Sequence, residues 1–210
     1  GPTDSLYAMG IIEQARLIKV NARQLISSLR GGHGIGQTPD YPEDIQGTPP
    51  EKLNGYTDGG VKNPKSSLWQ MAGFGMWWPD PPSEEENLQM TLYTFQETVD
   101  MGTMMWASMT GQHSHSTRTE LAALLVAMLR PIALHIGTDS QALIDKANFL
   151  IDKAILWEMK MGTEHWTTAN PCGKAWGLQK DGDLWKLYWQ AILLRGPRTV
   201  IFTKVKGHTT

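Results

Sequence analysis

Cysteine, net charge and long apolar segments are all scarce in this sequence of 210 residues. A single cysteine, Cys172, excludes an intramolecular disulfide framework and a cysteine-based zinc site. Lys and Arg number 19 against 21 Asp and Glu, and the net charge of -2 argues against a broad basic surface that binds duplexes by charge alone. The longest apolar run, residues 121–129, is too short to span a bilayer, which takes ~18 residues. We therefore expect an intracellular protein that does not associate with a membrane.

Tryptophan and methionine, in contrast, are abundant, with 9 and 11 residues. Five of the tryptophans lie between Trp157 and Trp189. Two interpretations are open. Large aromatic side chains most often form a core or a partner-binding face, but they also stack on nucleic-acid bases.

The composition changes twice along the chain and divides it into three parts. Residues 1–30 form a helical segment, because apolar side chains recur at spacings of three and four between Asp4 and Leu29. Residues 31–52 carry five Gly and four Pro and are predicted to be a linker. Residues 53–210 have the alternating and helical patterns of a folded domain, so we expect one main domain with an N-terminal extension.

The main domain is predicted to combine a mixed sheet with helices. Strands are expected over residues 53–61, 70–78, 132–137 and 199–205. Residues 88–95 and 103–109 contain further strand-like stretches without a clear boundary, and they supply the third strand in sequence order. Residues 79–86, rich in Pro and Glu, are predicted to form a loop, and the acidic stretch 80–100 is either a solvated loop or a partner-binding insertion. Helices are expected over 117–129, from Ser140 onward and over 183–194. Three antiparallel strands followed by parallel ones indicate an α/β fold with a mixed five-stranded sheet flanked by helices.

Three acidic residues occupy positions in this pattern that favour a metal site. Asp58 lies inside the first predicted strand, Glu120 near the start of the strongest helix, and Asp139 at the end of a short apolar strand. The carboxyl ends of parallel strands are where open α/β sheets build their sites. Three carboxylates brought together repel one another unless cations hold them, and oxygen ligands without sulfur select Mg²⁺ or Mn²⁺. Two such ions activate a water and stabilise the leaving oxygen of a phosphodiester.

Each carboxylate also has a simpler interpretation. Glu120 alone could interact with the positive end of its helix, and Asp139 alone could cap the next helix. Asp58 alone is harder to explain, because a central strand disfavours Asp. Their joint occurrence in this order favours a functional site.

Five motifs resemble those of type 1 ribonuclease H. They are Tyr56-Thr57-Asp58-Gly59-Gly60, Ser116-Thr117-Arg118-Thr119-Glu120-Leu121, Gly137-Thr138-Asp139-Ser140-Gln141, Asp183-Leu184-Trp185 and Lys204-Val205-Lys206-Gly207-His208. The resemblance covers residues 53–210 and includes the late helix, the final strand and the flexible catalytic loop. With Asn63-Pro64 after the first motif, the chain is similar to ribonuclease H domains attached to reverse transcriptases of retroelements.

The resemblance implies a ribonuclease H-like fold and an endonuclease that hydrolyses the RNA strand of RNA/DNA hybrids. It implies two Mg²⁺ ions, replaceable by Mn²⁺, and a reverse transcriptase domain as a partner in the same polyprotein. The residues it assigns to catalysis are Asp58, Glu120, Asp139 and His208, of which the three carboxylates bind metal. Those it assigns to the substrate are Gly59, Asn63, Ser116, Thr117 and Gln141.

One feature of the family has no counterpart in this sequence. The family's fourth carboxylate follows the catalytic His within about ten residues, and neither Asp181 nor Asp183 lies in the corresponding place. We therefore expect the native chain to continue past Thr210 with a helix that bears this residue. Two alternative functions are open: a hybrid-binding or tethering module with weak or no activity, and a DNA endonuclease on the same fold.

Overall fold

A computed structural model describes residues 39–62, 71–109, 116–161 and 171–206 of the chain. The predicted N-terminal helix over residues 4–29, the first part of the linker, and the site candidates Asn63 and His208 lie outside these ranges. Residues 39–52, the rest of the predicted linker, contain no helix or strand.

Within the described ranges, six strands form one mixed sheet. The strands are β1 (Gly55–Lys62), β2 (Met71–Trp78), β3 (Phe95–Val99), β4 (Gly102–Met109), β5 (Leu134–Thr138) and β6 (Val200–Lys204). Their order in the sheet is β3-β4-β2-β1-β5-β6. Strands β3, β4, β2 and β1 pair antiparallel, and β1, β5 and β6 pair parallel, which confirms the predicted α/β fold with a mixed sheet.

The sheet has one strand more than the five expected, because residues 95–109 form a hairpin at its edge. Only Phe95 of the strand-like stretch 88–95 is in β3, and the hairpin turn is made by Asp100 and Met101. Both turn residues have positive φ, 48° and 67°, as a tight two-residue hairpin requires. Neither residue is glycine, so the sequence carried no ordinary signal for this turn.

Four α-helices accompany the sheet in the described ranges: α1 (Glu84–Met90), α2 (Ser116–Ala127), α3 (Gln141–Met161) and α4 (Gly182–Arg195). The last three confirm the predicted helices. Within these ranges, no helix combines the length and apolarity needed to cross a membrane.

The predicted loop over residues 79–86 is correct for 79–83 and wrong for 84–86, because α1 begins at Glu84. Ser83 and Glu86 form a capping box, in which the Glu86 amide donates to Ser83 Oγ and the Ser83 amide to Glu86 Oε2, both at 3.3 Å. Three glutamates in the first turn also suit the positive end of the helix. Arg130 joins this helix to the domain through a 3.2 Å ion pair with Glu86.

Helix α2 lies at the centre of the core. Every residue from Leu121 to Leu129 is buried, so from Leu121 onward the helix is apolar on all sides, as expected of one enclosed by other elements. It contacts β1, β2, α3 and α4. Along β1 successive side chains point to opposite faces, so Gly59 faces α2 and Asp58 faces away. The first turn of α2 is therefore held against the strand that carries Asp58.

Candidate metal centre

Three elements bring Asp58, Glu120 and Asp139 together. Asp58 comes from the middle of β1, Glu120 from α2, and Asp139 follows β5 directly. One carboxylate oxygen from each residue lies within 4.8 Å of the others. Asp58 is exposed, while Glu120 and Asp139 are partly buried. The sequence-based expectation that these three side chains meet agrees with this geometry.

Gly59 permits the close approach of α2 to β1. A Cβ at this position would lie 2.5 Å from both the Glu120 amide nitrogen and Thr119 Oγ1, closer than any side chain tolerates. The Gly59 amide also donates a 2.9 Å hydrogen bond to Asp58 Oδ1. The glycine thus brings Glu120 near the strand and helps to orient Asp58, which gives it a packing role distinct from the predicted substrate contact.

The simpler interpretation of Asp139, in which it caps α3, is not supported. Ser140 caps that helix, since its Oγ accepts a 3.2 Å hydrogen bond from the Leu143 amide. Asp139 Oδ1 is buried and has no hydrogen-bond partner among the described residues. A buried carboxylate oxygen without a donor is costly, so this atom suits a bound cation.

Glu120 has an altered acidity. Its pKa is raised from 4.5 to about 7, first because the side chain is removed from water. The like charges of Asp139 and Asp58 and a hydrogen bond with the Asp139 side chain raise it further. A hydrogen bond with Ser140 acts in the opposite direction. Glu120 also lies beyond the first turn of α2, where the helix dipole has little effect, so the dipole interpretation of this residue is not supported.

The donor set fits a hard divalent cation. It consists of carboxylate oxygens without sulfur, which is the ligand chemistry of Mg²⁺ and Mn²⁺. A cation would offset both the loss of hydration and the mutual repulsion that raise the pKa of Glu120, and it would give Asp139 Oδ1 a partner. These three residues are therefore a candidate cation site.

The remaining predicted site residues fall into two groups. His208 and Asn63 lie outside the described ranges. Ser116 is the first residue of α2, and only its backbone is described. Thr117 lies in the first turn of α2 and is partly exposed. Gln141 is exposed at the start of α3, and its Nε2 donates 2.8 Å to Asp145 Oδ1 on the same helix.

Sequence reasoning missed three residues that support the site: Arg118, Thr119 and the hydroxyl of Ser140. Thr119 is fully buried against β1, and Ser140 both caps α3 and hydrogen-bonds Glu120. Arg118 binds Asp181 and Asp183 at the start of α4, so these two carboxylates face Arg118. The motif around Glu120 contained Arg118 and Thr119, but nothing in it indicated where they point.

A cavity of about 280 Å³ adjoins the carboxylates on the face of the sheet that carries Asp58. The rings of Tyr56 and Trp77 form one wall, with their centroids 5.7 Å apart. Asp58, Asp139 and Lys206 are the charged residues of its lining. The candidate site therefore opens to solvent beside an aromatic surface.

Comparison with known proteins adds little to this description. The sequence matches no family model, and no curated protein matches it. Among solved structures, the chain is similar to a foamy viral protease-reverse transcriptase in complex with dsDNA, with 17% identity and a TM-score of 0.40. The similarity covers 81% of this chain and 84% of the viral chain.

Proposed function

We propose that this chain hydrolyses the RNA strand of RNA/DNA hybrids. The observation that carries the proposal is the convergence of Asp58, Glu120 and Asp139 from three elements of a mixed sheet. The buried, unpaired Asp139 Oδ1 and the raised pKa of Glu120 support a cation between them. The substrate class comes from the motif resemblance.

Each carboxylate has a distinct role in the proposal. Asp58 and Asp139 would hold metal on either side of the scissile phosphate, and Glu120 would hold one ion and orient the substrate. Two Mg²⁺ ions held by these residues would activate a water and stabilise the leaving oxygen. Partial burial of Glu120 and Asp139 lowers their exposure to water, which strengthens the attraction between these carboxylates and a cation.

Substrate recognition is assigned to short polar groups near the carboxylates. Thr117 precedes Glu120 by one turn of α2, and Gln141 follows Asp139 by two positions. Polar side chains of this kind suit the 2′-hydroxyls of RNA, which lie in the wide minor groove of an A-form duplex. His208 is proposed to assist proton movement or product release, and a reverse transcriptase domain of the same polyprotein is the proposed partner.

A substrate panel tests the proposal. Strand-labelled RNA/DNA hybrid, double-stranded DNA and double-stranded RNA are incubated with the protein in millimolar Mg²⁺ and in excess chelator. We expect cleavage of the RNA strand of the hybrid, with little cleavage of either duplex and none in chelator. Cleavage of DNA would instead support the DNA endonuclease. Hybrid binding without cleavage would support a tethering module, and full activity in chelator would contradict the metal mechanism.

A further inference from the structure

Arg118 makes a cluster of ion pairs with Asp181 and Asp183. Its Nη1 and Nη2 bind Asp183 Oδ1 and Oδ2 at 3.0 and 2.8 Å, a two-point contact of guanidinium and carboxylate. Nη1 also binds Asp181 Oδ1 at 3.2 Å. The side chains are largely buried, with exposed fractions of 14% for Arg118 and 5% for Asp181. Such shielded, two-point pairs fix geometry more firmly than surface ion pairs.

The cluster joins the starts of two helices. Arg118 is in the first turn of α2, while Asp181 and Asp183 flank Gly182, the first residue of α4. A Cβ on Gly182 would overlap the Trp176 carbonyl oxygen, so the backbone is tightly packed here. The carboxylates that bind Arg118 are therefore held by a well-packed turn.

Asp181 has an unusual backbone conformation beside this contact. Its φ of 54° is left-handed, which is unfavourable for most side chains but tolerated by Asp. Asp at the N-cap commonly accepts a hydrogen bond from its own helix, yet the Asp181 side chain makes no such capping bond. One of its oxygens instead accepts from Arg118. The Asp181 side chain therefore contacts α2 and does not cap α4.

Three successive residues anchor the first turns of α2 in three directions. Residues along a helix project about 100° apart, so Arg118, Thr119 and Glu120 point to different neighbours. Thr119 packs on β1, and Arg118 binds the start of α4. Glu120 reaches Asp58 and Asp139. The direction of Glu120 is thus determined by contacts on both other sides of the turn.

We propose that Arg118 is a positioning residue that, through Asp183 and Asp181, fixes the start of α2 and so holds Glu120 in place for the cation. The inference rests on the proposed function, because it takes Glu120 as a metal ligand. In this role Arg118 acts through the helix and does not itself bind the metal or the substrate. Replacing a residue that orients a metal ligand without binding the metal itself typically lowers metal affinity or activity by about 10- to 100-fold.

The test compares Arg118→Met, Arg118→Lys and Asp183→Asn with the wild type. Binding of Mn²⁺ alone is measured by electron paramagnetic resonance, together with thermal unfolding and with kcat and KM on a labelled hybrid. The matched control is Arg198→Met, which breaks the exposed 3.5 Å pair with Glu158. We expect Mn²⁺ affinity and kcat to fall by about tenfold or more in Arg118→Met, with little change in KM for the hybrid. Arg198→Met should match the wild type.

The conservative variants separate positioning from folding. Lysine keeps the charge of Arg118 but loses the two-point contact, so Arg118→Lys should fall between the wild type and Arg118→Met. Adding Asp183→Asn to Arg118→Met should cause little further loss of Mn²⁺ affinity or kcat, because both substitutions break the same contact between Arg118 and Asp183. If the folded variants bind Mn²⁺ as the wild type does, the inference is wrong while the proposed function stands. If the wild type itself binds no Mn²⁺, the proposed function fails first.

Discussion

At the scale of single residues, Asp58 carries the account of the site. It is an exposed carboxylate in the middle of a strand that disfavours Asp, and its oxygen lies within 4.8 Å of those of Glu120 and Asp139. The strand pairs with β2 at Asp58 itself and with β5 two residues earlier, at Tyr56, so the position of Asp58 does not depend on loop conformation.

Asp58→Asn should remove cleavage by orders of magnitude and leave hybrid binding largely intact. Asparagine keeps the size and shape of the side chain but removes the charge that attracts cations. Cleavage of labelled hybrid and its binding in Ca²⁺ would be measured on the same preparation. Asp152→Asn, an exposed change on α3, is the control and should match the wild type. Near wild-type cleavage by Asp58→Asn would show that Asp58 is not a metal ligand.

Glu120 should make stability depend on pH when divalent cations are absent. Its pKa is about 7 in the folded protein, against an ordinary value of 4.5, so the folded state binds this proton more tightly than the unfolded chain does. The stabilising contribution is therefore complete below about pH 4.5 and is lost as the pH rises to about 7.

The measurement is the melting temperature in excess chelator between pH 4.5 and 8. The wild type should lose stability over this interval relative to Glu120→Gln, whose side chain does not titrate. Added Mn²⁺ should stabilise the wild type more at pH 8 than at pH 5, because the cation binds the ionised carboxylate. Parallel profiles for the two proteins would contradict the assignment.

At the scale of elements, the packing of α2 on β1 decides whether the carboxylates meet. Gly59→Ala places a methyl group 2.5 Å from the Glu120 amide nitrogen and so pushes the helix away from the strand. We expect a loss of about 1–3 kcal/mol in the free energy of unfolding, typical of overpacking, together with weaker Mn²⁺ binding.

Gly60→Ala is the matched control, because a Cβ at the neighbouring glycine would meet nothing within 4 Å. Urea unfolding and Mn²⁺ titration of both variants check the expectation. Equal effects of the two substitutions would mean that β-strand propensity, and not the contact with α2, accounts for the change.

The elements also show where sequence reasoning succeeds. Helix α2 was predicted within two residues at each end, because its apolar residues and the Arg130-Pro131 stop are local signals. The capping box of Ser83 and Glu86 was equally local, but the surrounding prolines and glutamates favoured a loop. The left-handed turn at Asp100 and Met101 had no glycine to mark it.

In the candidate site, too, the residues marked by local sequence signals could be predicted and the long-range contacts could not. Asp58, Glu120 and Asp139 could be grouped because each lies at a recognisable point of an element and a motif. The contact of Arg118 with Asp183 joins residues that are distant in sequence, so periodicity and spacing gave no sign of it. The raised pKa of Glu120 likewise depends on burial that only the folded chain reveals.

At the scale of the whole molecule, the sheet order explains how separated segments build one site. Strands β1 and β5 are parallel neighbours, which places Asp139 beside the strand that carries Asp58. Helix α2, between them in sequence, crosses back over the sheet and delivers Glu120 to the same point. The antiparallel strands β2, β4 and β3 extend the sheet on the other side of β1.

The most direct test of this account is anomalous diffraction from crystals of the protein soaked in Mn²⁺, with Asp58→Asn crystals treated alike. The central claim is that Asp58, Glu120 and Asp139 together hold a divalent cation. The expected result is an anomalous peak at bonding distance from carboxylate oxygens of all three residues, including Asp139 Oδ1, that is weaker or absent in Asp58→Asn. An empty site in fully soaked wild-type crystals, or a Mn²⁺ ion bound elsewhere only, would contradict it.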